Sequence, residues 1–232
     1  MRPIERGDTP QDKDGNPKVF AKYANARPYL IGRIGEYCSY CEMHLDASLA
    51  IEHVKPKKHH PGLALEWSNF LLGCTNCNSI KTDTDVNLDD YYWPDQDNTA
   101  RAIKYLSGGR VQVNSEVLNA EEQKRAERTI KLTGLDRKPG NNPTASNRRW
   151  NNRREAWDIA IESLQDLETA NYPAMRRQIV RTAQAKGFWS VWMTVFKNDA
   201  DMLERFIQAF PGTCRACFDA DMVQVPRPGG AI

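Results

Sequence analysis

CSYCEMHLDASLAIEHVKPKKHHPGLALEWSNFLLGCTNCNSIK, residues 38–81, is the stretch on which the reading of this chain turns. Two C-x-x-C pairs, Cys38/Cys41 and Cys74/Cys77, bracket Glu52-His53 and Asn69, and Asn78 follows the last cysteine directly. Thiolates held two residues apart on a tight knuckle can face one tetrahedral ion, and two knuckles complete its shell. The pattern therefore predicts a structural Zn²⁺ on Cys38, Cys41, Cys74 and Cys77, with no open position for catalysis. A redox reading has little support, because neither pair sits in a thioredoxin-like βαβ context.

Between the pairs, LAIEHV (49–54) and FLLG (70–73) read as strands, and TNCNSIKTD (75–83) as a helix start. The order is ββα, with the second cysteine pair at the strand-to-helix junction. The residues inside suit phosphodiester hydrolysis, which needs an activated water and a cation on the phosphate and leaving oxygens. His53 can take the proton at neutral pH. Glu52 offers a hard oxygen to Mg²⁺ or Mn²⁺. Asn78 offers a neutral oxygen from the helix, and Asn69 an amide that could orient His53. Neighbours on a strand point to opposite faces. Glu52 and His53 can thus share a cleft only where the strand end twists.

Working outward, Pro28 opens a helix with Tyr29, Leu30, Ile34 and Tyr37 as its apolar face, after an extended arm over residues 1–18. The run Tyr91-Tyr92-Trp93 before Pro94 reads as a loop that buries its aromatics. Residues 101–114 read as a hairpin turning at Ser107-Gly108-Gly109. After Ser115 the pattern becomes helical. One helix ends at Gly134, and a loop spans 138–147. A long helix follows, with Trp157, Ala160, Ile161, Leu164 and Leu167 on one face. Next come a helix opened by Pro173, a buried apolar segment at 188–196 and an amphipathic segment at 199–210 whose apolar face could dock a partner. The tail from Val225 reads as loose. The expected fold class is α+β. Residues 1–36 form an arm and helix, 37–114 the zinc-framed core with its hairpin, and 115–232 a helical region.

The chain has 232 residues, 40% apolar and 27% charged, with net charge +2. This composition fits a folded globular protein and leaves nucleic-acid affinity to local clusters. Lys55, Lys57, Lys58, His59 and His60 form a basic loop beside His53, and Lys81 lies one turn beyond Asn78. These are candidate phosphate contacts. Arg148, Arg149, Arg153 and Arg154 flank Trp150, a mixture of charge and ring suited to a nucleic-acid strand. Arg176, Arg177 and Arg181 are weaker candidates. Cys214 and Cys217 read as reduced thiols on a helix turn. The opening residues lack an apolar signal region and the sequence lacks an 18-residue apolar run. A cytoplasmic protein with no membrane partner is the expectation.

The pattern C-x-x-C…E-H-x-x-P-K…W-x-N-x-L-x-x-C-x-x-C-N-x-x-K resembles the HNH endonucleases of the ββα-metal type, in their four-cysteine zinc subgroup. The resemblance implies that His53 is the general base, that Asn69 orients it, and that Glu52 and Asn78 hold the catalytic divalent ion. Glu52 stands where the family more often has Asp, Asn78 where it often has His, and Thr82 where it sometimes has a second His. Asp83 or water would complete the shell. The opening MRPI, the knuckle CSYCE, EHVKPK and TIKLTGLDR further resemble HNH proteins of Septu-type and retron-associated anti-phage systems. In those, the nuclease is paired with an ABC- or SMC-like ATPase. The implied substrate is nucleic acid, DNA before RNA. The competing readings are a zinc-framed adaptor whose site is inactive and an enzyme silent until its ATPase partner engages.

Overall fold

A computed structural model describes residues 1–138 and 148–232. The loop expected at 138–147 therefore lies, from residue 139 on, outside the described residues. The elements in chain order are α1 (Arg27–Ile34), β1 (Leu49–His53), β2 (Phe70–Cys74), α2 (Thr75–Lys81), α3 (Thr99–Ala102), β3 (Ile103–Leu106), β4 (Arg110–Val113), α4 (Ala120–Thr133), α5 (Arg149–Thr169), α6 (Pro173–Lys186), α7 (Trp189–Val195) and α8 (Ala200–Ala209). This is the expected α+β arrangement of a ββα unit, a second hairpin and a helical C-terminal region.

β1 and β2 pair antiparallel from Leu49↔Cys74 to His53↔Phe70. The pairing puts a cysteine beside one end of β1 and the histidine at the other. α2 leaves β2 without a loop because Cys74 is both the last strand residue and the N-cap, its Sγ accepting from the Cys77 N–H. The side chain thus satisfies a backbone donor left free at the helix start. The hairpin β3–β4 turns over Ser107–Gly109, with Leu106 opposite Arg110. α4 opens on a capping box, Asn119 with Glu122, and closes on Gly134 in the left-handed conformation at φ 61°. Both ends follow the rule that the first amides and last carbonyls need partners from outside the helix.

The three stretches share one core. Met1 and Ile4 are fully buried, and Arg2 donates to the carbonyls of Pro211 and Ile34, so the N-terminal arm is built in at its beginning. Glu42, just after the first knuckle, accepts from the backbone N–H and the hydroxyl of Ser190 at 2.8 and 2.5 Å, tying the knuckle to α7. α7 is buried through Trp189 and Trp192, and Trp192 packs on Phe206 of α8 at 5.9 Å. The apolar faces of α7 and α8 are thereby consumed within the chain. Burying each large side chain contributes about 1.5–3 kcal/mol.

Two expectations are corrected and a third is extended. Tyr37 is not part of the α1 face: the helix ends at Gly35, and the Tyr37 ring packs on Phe210 at 4.8 Å. On α5 the expected face is extended: Ala160 and Leu167 are buried and Trp157 and Leu164 pack half-buried against the core, but Arg149, Arg153 and Ala156 are buried beside them. The tail is not loose. Ile232 is buried, its carbonyl accepts from the Asn98 N–H, and Arg227 donates to the carbonyls of Ile4 and Pro94. Among the described residues no helix is long and apolar enough to cross a membrane.

Candidate active site and metal centre

The sulfurs of Cys38, Cys41, Cys74 and Cys77 all lie within 4.8 Å of one another, and all four residues are buried. Backbone N–H groups point at two of them: Cys74 N–H donates to Cys38 Sγ, and Cys77 N–H to Cys74 Sγ, each at 3.4 Å. Arg149 donates to Cys77 Sγ at 3.2 Å. Burial opposes the guanidinium charge, but the surrounding cysteines outweigh it and raise its pKa. Four sulfurs with inward amides and a buried cation fit a tetrahedral ion carrying four thiolates, whose net charge would be negative.

At the other end of β1, His53 and Glu52 line the same cavity, of about 190 Å³, with Pro56, Lys57, Lys58, Thr82 and Asp83. The last strand residue therefore turns enough for two sequence neighbours to meet one space. His53 is 9% exposed and its ring stands edge-on to Phe70 and Tyr23, at 5.3 and 5.1 Å. Its Nε2 lies 3.1 Å from the Ala64 carbonyl. A carbonyl only accepts, so Nε2 carries the proton and Nδ1 keeps the lone pair. Burial, opposed by the Ala64 hydrogen bond and aided by Lys57 and Lys81, holds the imidazole below its ordinary pKa.

Asn69 makes no hydrogen bond to the imidazole. Its Oδ1 accepts from the Lys55 N–H at 2.7 Å, and its Nδ2 donates to the carbonyls of Lys55 and Leu63. The amide clamps both ends of the loop that leaves His53 and carries Ala64, so its hold on the base is indirect. Lys58 pairs with Asp83, and His60 with Asp85 at 2.7 Å, bridging that loop to the end of α2. Thr82 closes α2 at φ 53°, a strained value for a β-branched residue, on the cavity wall.

Glu52 is 7% exposed. Burial raises its pKa, opposed by the Lys81 ammonium 2.9 Å from Oε1, and Tyr40 O–H donates to the same oxygen at 3.4 Å. Asn78 is half-buried and is not among the residues that line the cavity. Its Oδ1 is buried and has no hydrogen-bond partner. It lies over Gly73, where an added Cβ would meet Oδ1 at 2.1 Å and Glu52 Cβ at 3.1 Å. Gly73→Ala should therefore displace the Asn78 amide and crowd the contact between α2 and the strands. A loss of about 3 kcal/mol is expected, read as a lower urea midpoint at unchanged slope. An unshifted midpoint would show that the helix is free to move.

The cations expected to grip nucleic acid divide into two groups. Lys57, Lys58, His59 and Arg148 are exposed and Lys55 is half-buried. Lys57 covers the Tyr23 ring at 4.2 Å beside His53. Lys81, Arg149 and Arg153 are corrected: they are 1%, 2% and 1% exposed and cannot reach a strand of nucleic acid. Arg149 donates to the carbonyls of Thr133 and Gly134, and Arg153 to those of Gly109 and Leu135. These arginines serve carbonyls at the end of α4 and in the β3–β4 turn. Cys214 and Cys217 are buried free thiols, at the N-cap and the last residue of a 3-10 turn. Tyr23, Tyr40 and the Ala64 carbonyl complete the site. No sequence signal marks the carbonyl; Tyr40 lies inside the first knuckle, where its reach to Glu52 depends on the fold.

Residues 38–84 match the family model described as HNH endonuclease. The chain is also similar to the Septu protein PtuB of Bacillus thuringiensis, at 34% identity over 88 residues. That alignment covers 35% of this chain and 34% of the relative, so the chain spans about a third of the length of the curated relative it matches. With the ββα unit and its four-cysteine cluster, residues 38–84 are an HNH endonuclease domain.

Proposed function

We propose that this chain is a metal-dependent nuclease that hydrolyses phosphodiester bonds in nucleic acid, DNA before RNA, in anti-phage defence. The observation that carries the reading is the His53 ring, its Nε2 3.1 Å from the Ala64 carbonyl, in one cavity with Glu52. Nδ1 is then the base that takes the proton from an attacking water. Lys57 and Lys58 at the cavity bring positive charge to the substrate phosphates, a salt-sensitive and sequence-independent grip. Zinc on Cys38, Cys41, Cys74 and Cys77 would hold the knuckles.

The buried, unpartnered Oδ1 of Asn78 beside Glu52 fits a second, harder cation, Mg²⁺ or Mn²⁺. Glu52 and Asn78 would hold it, with Asp83 on the wall. When bound it supplies charge stabilisation at the phosphate and the leaving oxygen. The similarity to a Septu protein supports the defence setting and a partner in a multi-component system; that this partner is an ATPase of the ABC or SMC type, and the setting the cytoplasm, belongs to the same proposal. A zinc-framed adaptor with a silent site is the second reading, favoured by the pairing of Glu52 with Lys81.

The deciding experiment incubates zinc-loaded protein with DNA or RNA, with Mg²⁺, Mn²⁺ or chelator. Cleavage that needs the divalent ion supports the nuclease. No cleavage of either, alone or with the ATPase, leaves the adaptor. The pH profile adds a sharper expectation. The base must be neutral, and burial lowers its pKa, so kcat/KM should stay flat below pH 6.5 and fall only in more acid solution. An acid limb centred above pH 6.5 contradicts His53 as the base.

A further inference from the structure

Lys81 touches neither the attacking water nor the phosphate in that mechanism, yet it is the most deeply placed charge of the site. It is 1% exposed, one helical turn after Asn78 on α2. Its ammonium lies 2.9 Å from Glu52 Oε1 and donates to the His53 carbonyl at 2.9 Å. A charge so far from water persists only with such partners. It therefore joins the side chain offered to the divalent ion to the backbone of the base. Its effect on the ion follows from charge. The Glu52 carboxylate and the Lys81 ammonium cancel, and Asn78 adds a dipole without charge. An incoming divalent ion meets a neutral pair rather than an anion, and ligand charge is a main determinant of affinity for hard cations.

We propose that Lys81 is a positioning residue and the resident counter-cation of the catalytic centre: it shares Glu52 with the divalent ion, keeps that ion weakly held, and fixes the carbonyl of the general base. The inference rests on reading Glu52 as a ligand of that ion. The phosphate of the substrate then supplies the negative charge that the protein shell lacks, and tight ion binding waits for nucleic acid.

The test is Mn²⁺ binding to the zinc-loaded chain at pH 8, followed by electron paramagnetic resonance of the free ion. The unmodified protein should bind with Kd on the order of 1 mM. Lys81→Met and Lys81→Gln should bind at least about tenfold tighter, and Lys81→Arg within about threefold of the unmodified chain. Glu52→Gln should lose the site, alone or combined with Lys81→Met. Neutral variants that bind no tighter, while Glu52→Gln still abolishes binding, overturn the role of Lys81 and leave the Glu52 reading standing. A Glu52→Gln protein that titrates like the unmodified one removes Glu52 as a ligand and the proposal with it. Should both neutral variants lose zinc and unfold, the unmodified chain decides: millimolar binding supports the inference and micromolar binding overturns it.

Discussion

Cys74→Ser should unfold the segment around the catalytic cavity and release zinc. Cys74 does three things at once. It ends β2 opposite Leu49, caps α2 by accepting from Cys77 N–H, and sits 3.7 Å from Cys41 Sγ across the frame. Its own N–H donates to Cys38 Sγ, so both knuckles meet at this residue. Structural zinc contributes about 10–16 kcal/mol in small zinc modules, as large as the whole stability of many domains, about 5–15 kcal/mol. Serine keeps the size but not the thiolate, and the remaining three sulfurs would surround a weakened site beside the buried Arg149. The expected result is less than one bound zinc per chain, a melting transition lowered or lost, and no nuclease activity. Strong chelation of the unmodified protein should reproduce all three. Cys214→Ser is the control, since Cys214 lies outside the four-sulfur cluster, and its zinc content should stay unchanged. Full zinc and an unshifted melt in Cys74→Ser would mean that the frame does not depend on the metal.

The parts of this fold that are legible in the sequence are those fixed by short-range constraints. C-x-x-C spacing, a helix stop at Gly134 and a Gly-Gly turn each determine geometry within a few residues. The ββα unit, α4 and the second hairpin therefore appear where expected. What the sequence hides is the destination of long polar side chains. Arg149 and Arg153, next to Trp150, have the composition of a nucleic-acid surface. In the fold, the last carbonyls of α4 and the carbonyl of Gly109 lack intrahelical or ladder partners, and buried carbonyls need donors. The guanidinium groups supply them. The tail is hidden for a similar reason: its Pro and Gly content reads as loose, but Arg227 and the carbonyl of Ile232 pair with backbone groups far away in the chain. In the site, His53 and Glu52 are visible as residue types. The tautomer of His53 is not, because it is set by the carbonyl of Ala64, whose position depends on the Asn69 clamp. Lys81 reads as a phosphate contact until the turn of α2 points it at Glu52.

His53→Ala should lower cleavage by about a thousandfold, the range in which a positioned general base acts. The Nε2–H is committed to Ala64, which leaves Nδ1 as the basic atom, and His53 is the histidine among the cavity-lining residues. Alanine removes the base and two edge-on ring contacts, with Phe70 and Tyr23, so some stability goes too, about 1–2 kcal/mol. The zinc frame lies at the opposite end of β1, from Leu49 and Cys74 onward, and zinc content should be unchanged. Two readouts separate lost chemistry from lost structure. The residual activity of the variant should no longer show the acid limb assigned to the imidazole, and added imidazole should restore part of the rate by entering the space left behind. If His53→Ala keeps zinc and cuts at the unmodified rate, the base lies elsewhere and the mechanism is wrong. If activity falls a thousandfold but the acid limb persists in what remains, His53 positions another group instead of accepting the proton.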